Sequence, residues 1–255
     1  MNDTPAVEPY SRFAAEFDEI LGDRFFPQMQ RVFEWLERRH GLRYTSVADV
    51  GCGTGTFLAY LGGRGVETLW GVDRSPQMLA RAIEKNATNG ALFLRQDLRQ
   101  LHLPQQVDLL TCQFDTLNYV LTDADLHTAL AAFADGLVPG GHALFDVVTA
   151  RLNTPGRDER LELARNDSRT VTLSARYDDS QRLQTASLLV ADGAGSHREE
   201  HLQRAHAISD VVDALDGSGL ELLAVHDFSN LDGPVDRAER VVFIARARPE
   251  GRRFA

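Results

Sequence analysis

Apolar residues recur along the chain in two rhythms, and the change from one to the other falls near residue 150. Phe26, Met29, Phe33 and Leu36 stand three and four apart, which predicts an amphipathic helix, and Gly41 supplies its stop. Short apolar runs then alternate with helical stretches. SVADV (46–50), TLWGVD (68–73), ALFLR (91–95), VDLLTCQF (107–114) and HALFDVV (142–148) read as strands. Helices are predicted from Phe57, from Ser75 and from Thr122 to Leu137. Ser75 is placed as an N-cap with Pro76 at the first helical position, and Thr122 and Asp125 have capping-box spacing. Strands alternating with helices from 46 to 148 predict a parallel, doubly wound α/β sheet.

Beyond residue 150 the period falls to two. In RTVTLSARY (169–177), Val171, Leu173, Ala175 and Tyr177 alternate with polar residues, which marks a strand with one wet face. RLQTASLLV (182–190) and REEHLQRAH (198–206), separated by the turn-rich DGAGS, extend this into an antiparallel insertion of about three strands. A last helix near Ser209 and the strands LELLAVHDF (220–228) and RVVFIARA (240–247) complete the chain. The organisation expected is an N-terminal helical lid segment (1–41), a core (42–150), an antiparallel β insertion over the ligand site (151–207), and a final helix with two strands returning to the core sheet (208–255).

With 43% hydrophobic and 25% charged residues in 255, the chain has the composition of an ordinary soluble domain with one elaboration. A formal net charge of −10 argues against a nucleic-acid surface, which wants clustered Lys and Arg. The one basic cluster, Arg246, Arg248, Arg252 and Arg253, reads as a solvated tail. The N-terminus lacks the basic start and apolar core of a secretory signal, and no apolar run approaches the roughly 18 residues of a membrane span. A cytoplasmic protein with no membrane partner is expected. Cys52 and Cys112 are too few for a disulfide framework.

The chemistry concentrates in VADVGCGTGTF (47–57). Gly51, Gly53 and Gly55 fall at the turn from the first strand to its helix, the floor on which open parallel sheets bind ligands. A dinucleotide fingerprint would need glycine at position 56, where Thr56 stands, and a P-loop would need a lysine that is absent. Asp49 at the strand end would repel a pyrophosphate but can hold an ammonium group. Asp73 ends the next strand, from which a carboxylate can accept both ribose hydroxyls. A nucleoside carrying an amino acid fits this set better than a phosphate-bearing ligand.

VADVGCGTGTF, GVDRSPQML, LRQDLRQL and LVPGGHALFDV resemble the successive motifs of the class I S-adenosylmethionine-dependent methyltransferases, over roughly residues 10 to 247. The resemblance implies a Rossmann-like, seven-stranded sheet whose last strand is antiparallel. It implies Asp49 near the methionine amino group, Gly51 and Gly53 against the cofactor, Asp73 on the ribose, Met78 against the adenine, and Asp97 with Leu98 at its exocyclic edge. Cys52, Gly55, Arg74 and Phe114 complete the candidate cofactor set, with Cys52 also readable as a small loop filler.

CQFDTLNYV (112–120) lacks the Pro-Pro and aromatic that follow Asn or Asp in the nucleic-acid enzymes of this class, which with the acidic charge points to a small acceptor. Together with YSRFAAEFDEI (10–20), it is similar to the subgroup containing glycine N-methyltransferase and the amino-sugar N-methyltransferases. Where the amino-sugar enzymes carry an active-site histidine, this chain has Tyr119. A phenol is a poor base at neutral pH, so Tyr119 is expected to orient the acceptor without deprotonating it. Tyr10, Phe13 and Phe17 resemble the subgroup's aromatic lid. The insertion offers His201, Arg204 or His206 to the acceptor pocket. Alternation puts His201 on one face and the other two on the opposite face, with at least one set on a solvated face. HREEH (197–201) matches the order of a zinc-protease motif but reads as a strand, so no metal is expected.

The candidate catalytic residues are Tyr119, Tyr10 and His201. The expected function is methyl transfer from S-adenosyl-L-methionine to an N or O nucleophile of a small molecule, by a monomer or homodimer. The alternatives are a non-catalytic S-adenosylmethionine-binding protein and a nicotinamide-dependent oxidoreductase.

Overall fold

Two sheets pack against an N-terminal segment that covers a cleft. The computed structural model describes residues 6–152, 159–166, 169–193 and 195–249; the first five residues and Arg252 and Arg253 of the basic tail lie outside it. The chain begins with a two-residue strand β1 (Ala6–Val7) and, after a short irregular helical stretch, α1 (Asp23–His40). Strands and helices then alternate: β2 (Ser46–Val50), α2 (Thr56–Gly63), β3 (Thr68–Asp73), α3 (Pro76–Lys85), β4 (Leu92–Arg95), β5 (Val107–Cys112), α4 (Asp123–Asp135) and β6 (Leu137–Val148). Four strands follow, β7 (Glu159–Asn166), β8 (Arg169–Asp178), β9 (Leu183–Asp192) and β10 (Gly195–Arg204). The chain ends with α5 (Ile208–Leu215), β11 (Leu220–Asp227) and β12 (Arg240–Ala247).

The larger sheet has seven strands in the order β11-β12-β6-β5-β2-β3-β4, with β12 antiparallel to both neighbours. It has the Rossmann-like form that the motif resemblance implies. The order reverses between β2 and β5, so a crevice opens beyond the carboxyl ends of β2, β3 and β5. One face packs under α4 and α5, where Leu130, Phe133, Val211 and Leu215 meet Phe145 and Phe243. The other takes α1 and α2, with Phe33, Leu36, Leu58 and Leu61 against Val242 and Ile244. Local signals set these helices. Gly41 ends α1 at φ +62° with its N–H on Glu37, and the Ser75 hydroxyl caps α3 by accepting from the Met78 N–H at 3.2 Å.

The second sheet runs β1-β10-β9-β8-β7, antiparallel except for the β1–β10 pair. It has four strands from the insertion where the alternating pattern marked about three. The missed strand, β7, carries a register shift between Glu162 and Ala164 that breaks its alternation. Its inner face receives the N-terminal segment: Phe13 and Ile20 pack on Val171, Leu188 and Val190.

Gly55 illustrates what the third loop glycine is for. Its φ is +74°, and a Cβ there would stand 2.6 Å from Asn86 Nδ2 and 3.1 Å from the Ala82 backbone, because α3 passes directly against it. Asn86 fixes that approach by donating to the carbonyls of Gly55 and Ala82 at 3.0 and 2.9 Å. Gly55→Ala is therefore expected to lower stability by roughly 2–4 kcal/mol, read as a shift of the urea midpoint with unchanged slope. A change below about 0.5 kcal/mol would show that the close approach is not a constraint.

Candidate active site

The floor of the crevice is built where β2 and β3 end. Asp73, the last residue of β3, accepts from the Gly53 N–H at 2.9 Å through one oxygen and from the Ser75 N–H at 2.8 Å through the other. Burial pushes its carboxyl above the ordinary range, against the pull of those two donors. The main lobe of the cleft encloses about 900 Å³, part of it open to solvent, between Asp73, Arg74, Met78, Asp97, Leu98 and the aromatic rings of Tyr10, Phe17, Phe114 and Tyr119. Asp97 holds Arg99 through both oxygens at 2.8 Å, and this pairing keeps its carboxyl below the ordinary range.

A second lobe of about 540 Å³ opens over the glycine loop, between Asp49, Cys52, Thr54, Gln113 and the α1 residues Phe26 and Met29. Asp49 is buried, accepts the Thr111 hydroxyl at 2.7 Å, and has its carboxyl pushed up to about 7, chiefly by burial and further by the charge of Asp73. Gln113 is 7% exposed and its Nε2 has no protein partner. Among the described residues no Lys or Arg lines this lobe. An aligned acid and an unpaired amide donor face the same small space, which suits an amino-acid zwitterion.

The far wall is the turn after β5. Phe114 and Asp115 both stand in the left-handed region, at φ +65° and +52°. Their N–H groups donate to the two oxygens of buried Asp146 on β6, at 2.8 and 2.7 Å. Arg240 on β12 bridges Asp146 at 3.2 Å and Asp115 at 2.6 Å. Asp115 also accepts from Gln203 of β10 at 2.7 Å, so the turn is pinned to both sheets. The turn seats Thr116 against Gly51, where a Cβ would lie 2.3 Å from the threonine methyl. It then delivers Tyr119 to the cleft.

Tyr119 does not stand alone. Its hydroxyl lies 3.1 Å from that of Tyr10 and 2.7 Å from His201 Nδ1, and the Tyr10 and His201 rings meet edge to face. His201 Nε2 is 3.7 Å from Glu199. Burial is the main force raising both phenols above their ordinary range, so they stay protonated. Tyr10 has φ +59°, and it is held from both sides: its N–H donates to Glu199 at 2.7 Å and its carbonyl accepts from Ser75 Oγ at 3.0 Å.

Of the residues singled out from sequence, Tyr10 and Tyr119 line the cleft, with His201 hydrogen-bonded behind them. Asp49, Gly51, Cys52, Gly53, Asp73, Arg74, Met78, Asp97, Leu98 and Phe114 all line one or both lobes. Gly55 lines neither, being spent on the α3 contact. The expectation that His201, or Arg204 with His206, stands on a solvated face is corrected, although Glu200 and Leu202 of β10 are exposed. His201, Arg204 and His206 are all buried. Arg204 pairs with Asp123 at 2.7 Å, and burial holds the His206 imidazole down to about 4, hence neutral. HREEH lies in β10, where residues four apart are about 13 Å distant, too far to share one ion. Gln113, Asp146, Glu199, Gln203 and Arg240 were not foreseen. Only the strand-end position of Gln113 and the two-residue spacing of Glu199 from His201 were visible as signals.

Residues 47–141 match the family described as Methyltransferase domain. The chain is 28% identical over 244 residues, 93% of this chain and 96% of the other, to the putative methyltransferase YqeM of Bacillus subtilis. It is 30% identical over 169 residues, 65% of each chain, to the dTDP-3-amino-3,6-dideoxy-alpha-D-glucopyranose N,N-dimethyltransferase of Streptomyces fradiae. An S-adenosylmethionine-dependent methyltransferase from Clostridium acetobutylicum superposes with a TM-score of 0.77 at 25% identity, covering 94% of this chain and 99% of that one.

Asp49 makes the ligand-free site pH-sensitive. An acid whose folded pKa is about 7 and whose unfolded pKa is near 4 costs stability increasingly as pH rises between those values. Asp49→Asn is accordingly expected to stabilise the ligand-free protein by roughly 2–4 kcal/mol at pH 8 and by almost nothing at pH 4. Denaturant titrations of both proteins at the two pH values measure this, and a gain of equal size at both would refute the assignment.

Proposed function

We propose that this chain, an S-adenosylmethionine-dependent methyltransferase, methylates the amine nitrogen of a small molecule and removes the nitrogen's proton through Tyr10 and Tyr119 to His201. The observation that carries this reading is the hydrogen-bonded line Tyr10–Tyr119–His201, which ends in an imidazole nitrogen, the atom of the line whose lone pair can take up a proton. The residues of the cleft fit the cofactor. Asp73, fixed by two N–H groups, is oriented to accept from the ribose hydroxyls, and Asp49 faces the place of the ammonium group. Gln113 Nε2 is available to the methionyl carboxylate, and Met78, Leu98 and Asp97 to the adenine. When bound, S-adenosylmethionine supplies a methyl group on a sulfonium, which an in-line nucleophile displaces.

The chain's own part is to hold and deprotonate the acceptor. The faces of Tyr10, Phe17, Phe114 and Tyr119 suit an alkylamine, which carries positive charge before and after methylation. The lone pair that would displace the methyl group, forming the N–C bond as the C–S bond breaks, is freed when the ammonium first gives up one N–H proton. It passes to the Tyr10 oxygen, the Tyr10 proton to Tyr119, and the Tyr119 proton to His201 Nδ1. The Tyr119 hydroxyl donates to Tyr10 in the structure, so both hydroxyls rotate to turn the line toward His201. The phenols are held protonated, so they conduct the proton without storing it. An amine acceptor is supported by the similarity to the Streptomyces fradiae relative, an N,N-dimethyltransferase of a dTDP-linked amino sugar. The net charge of −10 supports a free small molecule over a nucleic acid.

The reading is tested by incubating the protein with S-adenosylmethionine and a panel of amino sugars and small amines, with N-methyl products followed by mass spectrometry. On the best acceptor, His201→Gln is expected to lower kcat at neutral pH by about 100-fold or more while KM changes little. An undiminished kcat would remove His201 from the reaction. Asp73→Ala is expected to weaken S-adenosylhomocysteine binding by about tenfold or more in calorimetry, and an unchanged affinity would overturn the ribose assignment.

A further inference from the structure

We propose that Glu199 is a positioning residue that joins two events, docking of the 10–13 turn over the cleft and orientation of His201 as proton acceptor. The proposal rests on the reading of His201 given above. Glu199 and His201 are two apart on β10, so both project from its inner face. Glu199 is fully buried. One of its oxygens accepts from the N–H groups of Arg12 and Phe13 at 2.7 and 2.9 Å, and the other from Tyr10 at 2.7 Å. That second oxygen also faces His201 Nε2 at 3.7 Å.

Each half of this arrangement constrains the other. Burial alone would push the Glu199 carboxyl up, but His201 and the three N–H donors outweigh it and hold the group below the ordinary range. A carboxylate that stays ionised in a dry site requires those donors, and they exist there only when the 10–13 turn is seated. The ionised carboxylate in turn favours the imidazole tautomer with its proton on Nε2. Nδ1 is then left with a lone pair toward the Tyr119 hydroxyl, as proton acceptance requires. The same turn brings the Tyr10 phenol into line, at a backbone conformation that Glu199 and Ser75 maintain. Seating the turn thus completes the relay and selects its end state together.

The groups facing the imidazole are few. Tyr119 reaches it from the turn after β5, Tyr10 from the N-terminal segment and Glu199 from its own strand; its partner across the ladder, Ala186, is uncharged. Around the two phenols stand Arg74, 5.7 Å over the Tyr119 ring, Asp115, whose charge acts on both, and Asp73, whose charge acts on Tyr10. Among the described residues, Glu199 is the one carboxylate within 4 Å of the His201 ring nitrogens.

The test uses the full chain saturated with S-adenosylhomocysteine and needs no methyl acceptor, so its outcome is independent of the turnover of His201→Gln. Nitrogen-15 NMR of the histidine rings, with His201 assigned by its loss in His201→Gln, reports tautomer and titration. The wild-type protein is expected to show the Nε2–H tautomer. In Glu199→Gln the His201 midpoint is expected to fall by about one pH unit, and the amides of Tyr10, Arg12 and Phe13 to exchange at least about tenfold faster. Glu199→Asp, which keeps the charge but withdraws it by one methylene, is expected to restore the titration more than the amide protection. A wild-type Nδ1–H tautomer overturns the proposal without any variant. An unmoved midpoint, or unmoved protection of the three amides in Glu199→Gln, overturns the coupling.

Discussion

The far wall of the cleft depends on one buried carboxylate. Asp146 receives the N–H groups of Phe114 and Asp115, two consecutive residues in a conformation that costs non-glycine residues about 1–3 kcal/mol each. Burial raises the carboxyl of Asp146, and Arg240, packed between the rings of Phe114 and Phe228, supplies the opposing charge. With Asp115 as the third member, the network is satisfied on every side that the turn presents. Neither glycine nor proline produces this turn; the field and geometry of two neighbouring strands do. Because the turn is fixed, Thr116 meets Gly51, Asn118 bonds to the ends of β6 and β10, and Tyr119 faces the cleft.

The second sheet gives the N-terminal segment somewhere to be buried. Phe13 is fully enclosed there, which stabilises the docked segment by about 2–3 kcal/mol. Hydrogen bonds decide where along the sheet it sits: Glu199 takes the 10–13 turn, and Asp18 joins Lys85 and the threonines beside the glycine loop. The segment therefore touches the wall of one lobe at Tyr10 and of the other at Gly22 and Phe26. The two lobes share a single covering element, attached to the insertion at one end and to the core at the other.

The floor of the site was legible because it is local. Asp49, Gly51, Gly53 and Asp73 sit within two consecutive strand-to-helix turns, and their spacing fixes their place beyond the strand ends before any packing is known. The far wall was only half legible. Tyr10, Tyr119 and His201 could each be named, but their separations of 82 and 109 residues hide that they form one hydrogen-bonded line. The expectation that Tyr119 would only orient an acceptor followed from the phenol in isolation. The His201 imidazole, 2.7 Å from that hydroxyl, is a neighbour that the order of residues along the chain does not show. The faces of β10 were misjudged for a similar reason. Alternation correctly separates His201 from Arg204, but Leu121 and Asp123 cover the strand's other side, and no periodicity carries that information.

By itself the sequence determined the alternation of strands and helices, the antiparallel character of the insertion and the identity of the loop that floors the cleft. Each follows from side-chain period, capping and turn chemistry acting over a few residues. The tertiary structure decided which carboxylates are buried, which of them are paired, and which phenol reaches which imidazole. Those outcomes depend on desolvation and on distances between elements far apart in the chain, quantities that come into existence only when the two sheets close on the N-terminal segment.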